Sequence, residues 1–242
     1  MSNLTGAERA RYVQEMFGRI ARDYDLMNRV MTAGQDIRWR RAVIDLAGLT
    51  PGGWLLDLGA GTGDLAREAL RQQPAGHILA ADFTLEMMRV GQERNHRLPL
   101  PPDLIVWSAA DATRLPFPEE SFEAVVSGFL LRNVNNVAGC LAEQYRVLKP
   151  GGRLVALDTT PPTRSPLAPL IRFHLHTVIP TLGRLIARQA EAYQYLPDST
   201  EGFLDPEQLA ARLQETGFQD VRFQRRMFGT IAIHWARKPR TG

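Results

Sequence analysis

The first fifty residues carry helical spacing. Val13, Met16, Phe17 and Ile20 fall on one face of a 3.6-residue period. Gly34 interrupts, and Trp39, Val43 and Leu46 mark a second face before Gly48 and Pro51-Gly52-Gly53 end the helical pattern. From residue 54 the pattern changes to short, solidly apolar runs. Trp54-Leu55-Leu56-Asp57-Leu58, Ile78-Leu79-Ala80-Ala81-Asp82, Leu104-Ile105-Val106-Trp107, the run from Phe122 to Ser127, and Leu154-Val155-Ala156-Leu157 have the length and composition of strands buried on both faces of a sheet. Helical stretches over 62–73, 84–97 and 136–148 alternate with them, the last stopped by Pro150-Gly151-Gly152. Such alternation predicts an α/β fold with a mostly parallel sheet and helices on both faces. Residues 160–200 break the rhythm with six prolines and mixed apolar stretches, and read as a helical insertion. A helix over 205–216 and two strand-like runs, Val221 to Arg225 and Thr230 to Trp235, follow; their closeness predicts an antiparallel hairpin at one sheet edge.

The chain has 242 residues, 44% of them hydrophobic, which suits one large core and leaves little room for a second. The expectation is a single domain over 1–242, with an N-terminal helical cap over 1–50 and a helical lid over 160–200. The formal net charge is only +3 and the basic residues are dispersed. With no basic stripe interleaved with aromatics, nucleic acid is not an expected partner. The one cysteine, Cys140, sits among apolar neighbours in a helical stretch and is expected to pack in a reducing compartment. No run of ~18 apolar residues predicts a membrane span, and Glu8, Arg9 and Arg11 precede any apolar run, so no secretory signal is expected and the location is expected to be cytoplasmic. His174 and His176 lie two apart without a Cys or acidic partner at ligand spacing, so no metal is expected.

The informative motif is Asp57-Leu58-Gly59-Ala60-Gly61-Thr62-Gly63-Asp64, which follows a strand and opens a helix. Glycines there let the backbone approach a ligand closely, and the open N–H groups of the helix start favour an anionic group. Asp82 closes the next strand about 20 residues on, where a ribose diol would be read. A dinucleotide site would have glycine where Asp64 stands, and a pyrophosphate beside Asp57 and Asp64 would meet like charge, at a cost of order 1 kcal/mol or more. A sulfonium cofactor with a free amino group would be favoured instead. Asp111-Ala112, after the third strand, can accept from an adenine amino group. This set resembles the class I S-adenosylmethionine-dependent methyltransferases. The resemblance implies a Rossmann-like, seven-stranded, mostly parallel sheet. It also implies Asp57, Gly59, Gly61, Thr62 and Gly63 around the methionine part, Asp82 with Phe83 at the ribose, Asp111 and Ala112 at the adenine, and Ser127 or Gly128 under the sulfonium.

A narrower resemblance rests on three stretches. They are Tyr24-Asp25-Leu26-Met27-Asn28-Arg29-Val30-Met31-Thr32-Ala33-Gly34 followed by Trp39-Arg40; Leu131-Arg132-Asn133-Val134 followed by Tyr145-Arg146-Val147-Leu148-Lys149-Pro150-Gly151-Gly152; and Ala192-Tyr193-Gln194-Tyr195-Leu196-Pro197-Asp198-Ser199 before Phe203. Together they are similar to the ubiquinone and menaquinone C-methyltransferases, from about residue 12 to the end. The resemblance implies methyl transfer to a ring carbon of a prenylated quinol, demethylmenaquinol or the equivalent ubiquinone precursor. It places Tyr24, Asp25, Asn28, Asp36, Arg132, Asn133, Tyr193 and Tyr195 on the acceptor side. Loss of a phenolic proton makes the neighbouring carbon nucleophilic, so the enzyme must supply a proton acceptor, a dry site and a fixed geometry. The chain departs from the family pattern twice. Asp36-Ile37 stands where the family has His-Arg, which leaves the proton acceptor open, and Leu130 stands where it has glycine. Two other readings fit the same residues: a methyltransferase for another phenolic acceptor, and a non-catalytic S-adenosylmethionine-binding partner in a quinone-synthesis complex. Between Pro166 and Arg188 apolar residues interleave with arginines, which suits a lid that also touches lipid headgroups at the inner face of the membrane. The oligomeric state is left open, a homodimer included.

Overall fold

The computed structural model describes residues 6–97, 104–161, 168–183 and 190–240. Residues 162–167 and 184–189 of the predicted lid, and the side chain of Tyr193, lie outside the described residues. The N-terminal region forms three helices, α1 (Gly6–Ile20), α2 (Tyr24–Met31) and α3 (Gln35–Ala47). The alternating region follows as β1 (Trp54–Leu58), α4 (Asp64–Gln72), β2 (His77–Asp82), α5 (Leu85–Asn95), β3 (Ile105–Ala109), β4 (Phe122–Gly128), α6 (Val137–Val147) and β5 (Leu148–Thr159). The insertion contributes α7 (Ala168–Phe173), a π-helical turn (His174–Val178), α8 (Ile179–Leu182) and α9 (Ala190–Glu201). The chain then runs through α10 (Pro206–Glu215), β6 (Gln219–Arg226) and β7 (Ile231–Arg237).

The seven strands form one sheet in the order β3-β2-β1-β4-β5-β7-β6. All pairs up to β5 are parallel; β7 pairs antiparallel with both β5 and β6. The predicted C-terminal hairpin is therefore present, but its second strand inserts beside β5 and leaves β6 at the edge. Because successive strand residues point to opposite faces, Leu56, Leu58 and Val125 join Leu141 and Leu209 in one core layer. Leu55, Ile78 and Val126 join Val43 of α3 and Ala66 of α4 in the other. This two-sided burial is the reason the strands read as unbroken apolar runs. Cys140 is fully buried in the first layer, and burial pushes its thiol up to about 12.

A third cluster stands apart from the sheet. Met16 and Ile20 of α1, Met27 of α2, Leu175 and Ile179 of the insertion, and Tyr195 of α9 pack together. The N-terminal cap and the insertion thus build one roof over the carboxyl ends of β1 and β4, where the strand order reverses and ligands bind in sheets of this kind. No helix among the described residues is long and apolar enough to cross a membrane.

Candidate cofactor and acceptor cavity

Gly59 and Gly61 leave β1 with φ of 69° and 57°, a region that favours glycine. The N–H groups of Gly59 and Ala60 both donate to Ala81 O, at 2.8 and 3.0 Å, which ties the turn to the end of β2. Gly61 N donates to Asp82 Oδ2 at 2.7 Å, and Thr84 N donates to Asp82 Oδ1 at 2.7 Å. A Cβ at position 59 would stand 2.8 Å from Leu130 Cδ1, so the turn and the end of β4 approach as closely as a glycine allows.

Beside this turn lies a cavity of about 250 Å³. Its floor is the run from Asp57 to Thr62. One flank is formed by Asp82, Phe83 and Thr84 with Asp111 and Ala112, and the other by Gly128, Phe129, Leu130 and Asn133. Its roof is α1 through Val13, Gln14 and Phe17, with Tyr24, Asp25 and Arg40 beside them. Gln14 Nε2 donates to Phe83 O at 2.9 Å and pins the roof to the ribose-side loop.

Asp57 is 1% exposed. Its Oδ2 accepts from Ala66 N at 2.9 Å, while its Oδ1 is buried without a hydrogen-bond partner. Burial pushes its pKa up to about 7. Burial also raises Asp82. Asp111 Oδ1 accepts from the N–H and hydroxyl of Thr113, at 2.8 and 2.7 Å. Asp64, the first residue of α4, is held below the usual carboxylate range: burial raises it, but Arg40 and Arg67 outweigh that. Gly63 (φ 84°) turns the chain into α4, and Ser127 is buried in β4; neither lines the cavity, whereas Gly128 does.

The acceptor-side candidates divide. Tyr24 and Asp25 line the cavity; Tyr24 packs edge-on against Phe17, and Asp25 accepts from the Thr62 hydroxyl at 2.8 and 2.9 Å and pairs with Arg94. Asn133 also lines it, with Nδ2 donating to Phe129 O at 2.8 Å and Oδ1 buried without a partner. Asp36 does not. It is fully buried, closely paired with Arg40, 3.1 Å from the Thr32 hydroxyl and 3.7 Å from Arg29. Arg132 also stays outside. Its Nη1 donates to Asp158 Oδ1 at 2.6 Å, and its guanidinium lies 5.0 Å from the Phe129 ring centre. Tyr195 packs in the roof against Tyr12, with its hydroxyl 3.5 Å from Arg9 Nη2. Asn28 is buried in α2 with Nδ2 unpartnered and does not line the cavity.

The ubiE/COQ5 methyltransferase family matches residues 4–238. The chain belongs to this family. It is 46% identical over 226 residues to the ubiquinone/menaquinone biosynthesis C-methyltransferase of Desulfotalea psychrophila, across 93% of this chain and 90% of that one. It is 39% identical over 231 residues to the demethylmenaquinone methyltransferase of Roseiflexus castenholzii, across 94% and 93%. In fold it is similar to the phosphoethanolamine N-methyltransferase 2 of Haemonchus contortus in complex with S-adenosylmethionine. There the TM-score is 0.64 at 17% identity, over 84% of this chain and 53% of that one. The chain is therefore an S-adenosylmethionine-dependent methyltransferase with the class I architecture that its strand order shows.

Several residues of this family member were not singled out by sequence reasoning. Val13 and Phe17 were visible only as an apolar face, and Gln14, the polar residue between them, was the available sign that this face meets more than core. Arg9 of α1 spans to the β4 side, donating to Arg132 O at 3.1 Å and Asn135 Oδ1 at 3.3 Å. Arg40 was visible within Trp39-Arg40, but nothing in the sequence placed it on the cavity wall. In the insertion, His176 does have an acidic neighbour, Glu201 of α9 at 3.1 Å, brought from 25 residues away.

Proposed function

We propose that this chain transfers the methyl group of S-adenosylmethionine to a ring carbon of a prenylated quinol, demethylmenaquinol or the equivalent ubiquinone precursor. One observation carries the proposal. A single cavity joins the glycine turn to Asn133, and Asp57 at one end and Asn133 at the other both line it. A carboxylate at the turn suits the ammonium of the cofactor's amino-acid end, and an amide at the other end suits a hydroxyl of the acceptor.

The remaining assignments follow from the walls. Asp82 keeps lone pairs for the ribose hydroxyls beyond the two backbone donors that orient it. Phe83 lies beside it, Asp111 and Ala112 bound the adenine end, and Gly59, Gly61 and Thr62 accept the methionine chain at the floor. When bound, S-adenosylmethionine supplies an electrophilic methyl group on a sulfonium. The protein's part is to hold the acceptor carbon in line with it, exclude water and take the phenolic proton. Asp25 is the candidate acceptor of that proton because it lines the cavity from α2, whereas Asp36 is fully buried and does not line it. Arg132 acts as a positioning residue, fixing the Phe129-to-Asn133 turn from behind.

The prenyl tail requires a lipid-facing side. On α7, Leu170 is 63% and Phe173 58% exposed, with Arg172 exposed between them. That pairing of apolar and basic side chains suits peripheral contact with an anionic membrane surface.

The test is a mass-spectrometric assay with S-adenosylmethionine and a chemically reduced, short-tailed demethylmenaquinol. One methyl gained on the ring, with S-adenosylhomocysteine formed in step, is the expected result. Cofactor binding without methylation of that quinol or of a short-tailed ubiquinone precursor would move the acceptor to another phenol.

A further inference from the structure

On the wall that follows β4, Leu130 stands between the glycine turn and Asn133. It lines the cavity and is half-buried. Its Cδ1, Cβ and Cγ lie 2.8, 3.1 and 3.2 Å from where a Cβ at Gly59 would stand, so the side chain lies flat on the turn. It also packs against the core layer that holds Leu58 and Leu141. The backbone beneath it is fixed. Phe129 N donates to Leu157 O at 2.7 Å, and Asn133 N donates to Leu130 O at 2.8 Å. Phe129 takes a φ of 61°, uncommon for a residue with a side chain. A branched side chain held between floor and core has little room to swing aside. The family pattern has glycine at this position, so the isobutyl group is bulk that this chain adds to the wall.

That bulk falls where the two ligands must meet. In the reading above Gly59 belongs to the cofactor's side of the cavity and Asn133 to the acceptor's, and Leu130 touches the one and precedes the other by three residues. In-line transfer brings the reacting atoms to about 3–3.5 Å. A ring that comes so close while its hydroxyl meets Asn133 lies against the side chain in between. Resting on the quinol reading, we infer that Leu130 is a specificity-determining residue, which limits the bulk of the ring system that the acceptor carries into the cavity. It has no polar side-chain atom and takes no part in the chemistry; it works by exclusion. A misfit of one methylene in an apolar pocket changes kcat/KM by ~10-fold or more. A fused second ring, or a methyl group on that ring, is a difference of at least this size.

The test is steady-state kinetics of the full chain with S-adenosylmethionine and three reduced quinols of one short tail and rising bulk. They are a single-ring benzoquinol, a demethylmenaquinol, and a demethylmenaquinol with a methyl group on its second ring. The unaltered protein is expected to show a size limit, a drop in kcat/KM at one step of this series. Leu130→Gly is expected to ease that step by roughly tenfold or more, and Leu130→Ala to ease it less, while calorimetric affinity for S-adenosylmethionine changes little. A kcat/KM that holds level or rises across the series in the unaltered protein overturns the proposal and needs no variant to fold. So does a size limit that both variants leave in place, or a fall by one factor for all three quinols, the mark of a merely structural role. Those outcomes leave the quinol reading standing. Methylation of none of the three by the unaltered protein would overturn that reading along with this one.

Discussion

Asp57 has one oxygen bonded to the start of α4 and the other bare, in a setting where burial lifts its pKa to about 7. In the unfolded chain the same carboxyl titrates near 4. Because the folded value is the higher one, the group's contribution to stability is complete below the unfolded value, declines as pH rises between the two, and is lost above about 7. The full difference corresponds to roughly 4 kcal/mol. Asp57→Asn removes the titration and keeps an oxygen for the bond from Ala66. The cofactor-free variant is therefore expected to melt higher than the unaltered protein at pH 8, with the gap closing towards pH 5. Thermal unfolding at the two pH values measures this, and a gap that does not change with pH would refute the assignment. Cofactor affinity is expected to move the opposite way, falling in the variant. Asp57 and Asp82 were legible in the sequence because a glycine turn after a strand is a local pattern whose geometry fixes its neighbours. Asp25 and Asp36 were not separable: both sit in the same signature, and only the packing of α2 and α3 turns one carboxylate to the cavity and the other to Arg40.

At the level of elements, the wall near Asn133 depends on one buried ion pair. Arg132, in the 3₁₀ turn Leu131–Asn133, reaches across to Asp158 near the end of β5. That carboxylate is 2% exposed and also accepts from Arg132 N at 3.2 Å. Removing one partner of such a pair strands a buried charge, which typically costs ~3–5 kcal/mol, whereas removing both costs much less. Arg132→Ala is accordingly expected to lower stability by several kcal/mol, and Arg132→Ala combined with Asp158→Ala to recover a good part of it. Urea unfolding of the two variants decides; a single variant as stable as the unaltered protein would mean that the pair does not hold the turn. Turnover lost in Arg132→Ala alone therefore says little about contact with substrate, since Phe129 and Asn133 would shift with it. The strands themselves were legible because two-sided burial writes itself as unbroken apolar runs. The start of β5 was not. Pro150-Gly151-Gly152 reads as a stop, yet the chain pairs from Leu148 onward, with the irregularity taken up in the register against β4. Nor could the sequence show that β7 inserts beside β5, since both C-terminal strands have similar composition and the choice is made by the sheet.

Across the whole molecule, the sheet and the roof carry different information. The sheet, with its glycine turn, is shared by proteins of many activities, and a fold of this kind does not name an acceptor. The roof is a separate layer, in which the N-terminal helices and the insertion pack on one another through Met16, Met27, Leu175, Ile179 and Tyr195. A roof that only closed the cavity would turn its apolar residues inward. Here Leu170 and Phe173 of α7 point outward, and Leu26 and Val30 of α2 are exposed as well. For an acceptor with a long apolar tail, an exposed apolar face flanked by arginine would let the protein meet its substrate at a lipid surface. The protein is thus expected to co-sediment with vesicles containing anionic phospholipid at low ionic strength. Raising the salt should weaken the association, because headgroup attraction at the surface is screened within about 10 Å at 0.1 M. The double variant Leu170→Asp with Phe173→Asp is expected to reduce it further at any salt, since it removes the apolar contact and adds charge of the membrane's own sign. Indifference of the unaltered protein to such vesicles would assign the exposed face another role.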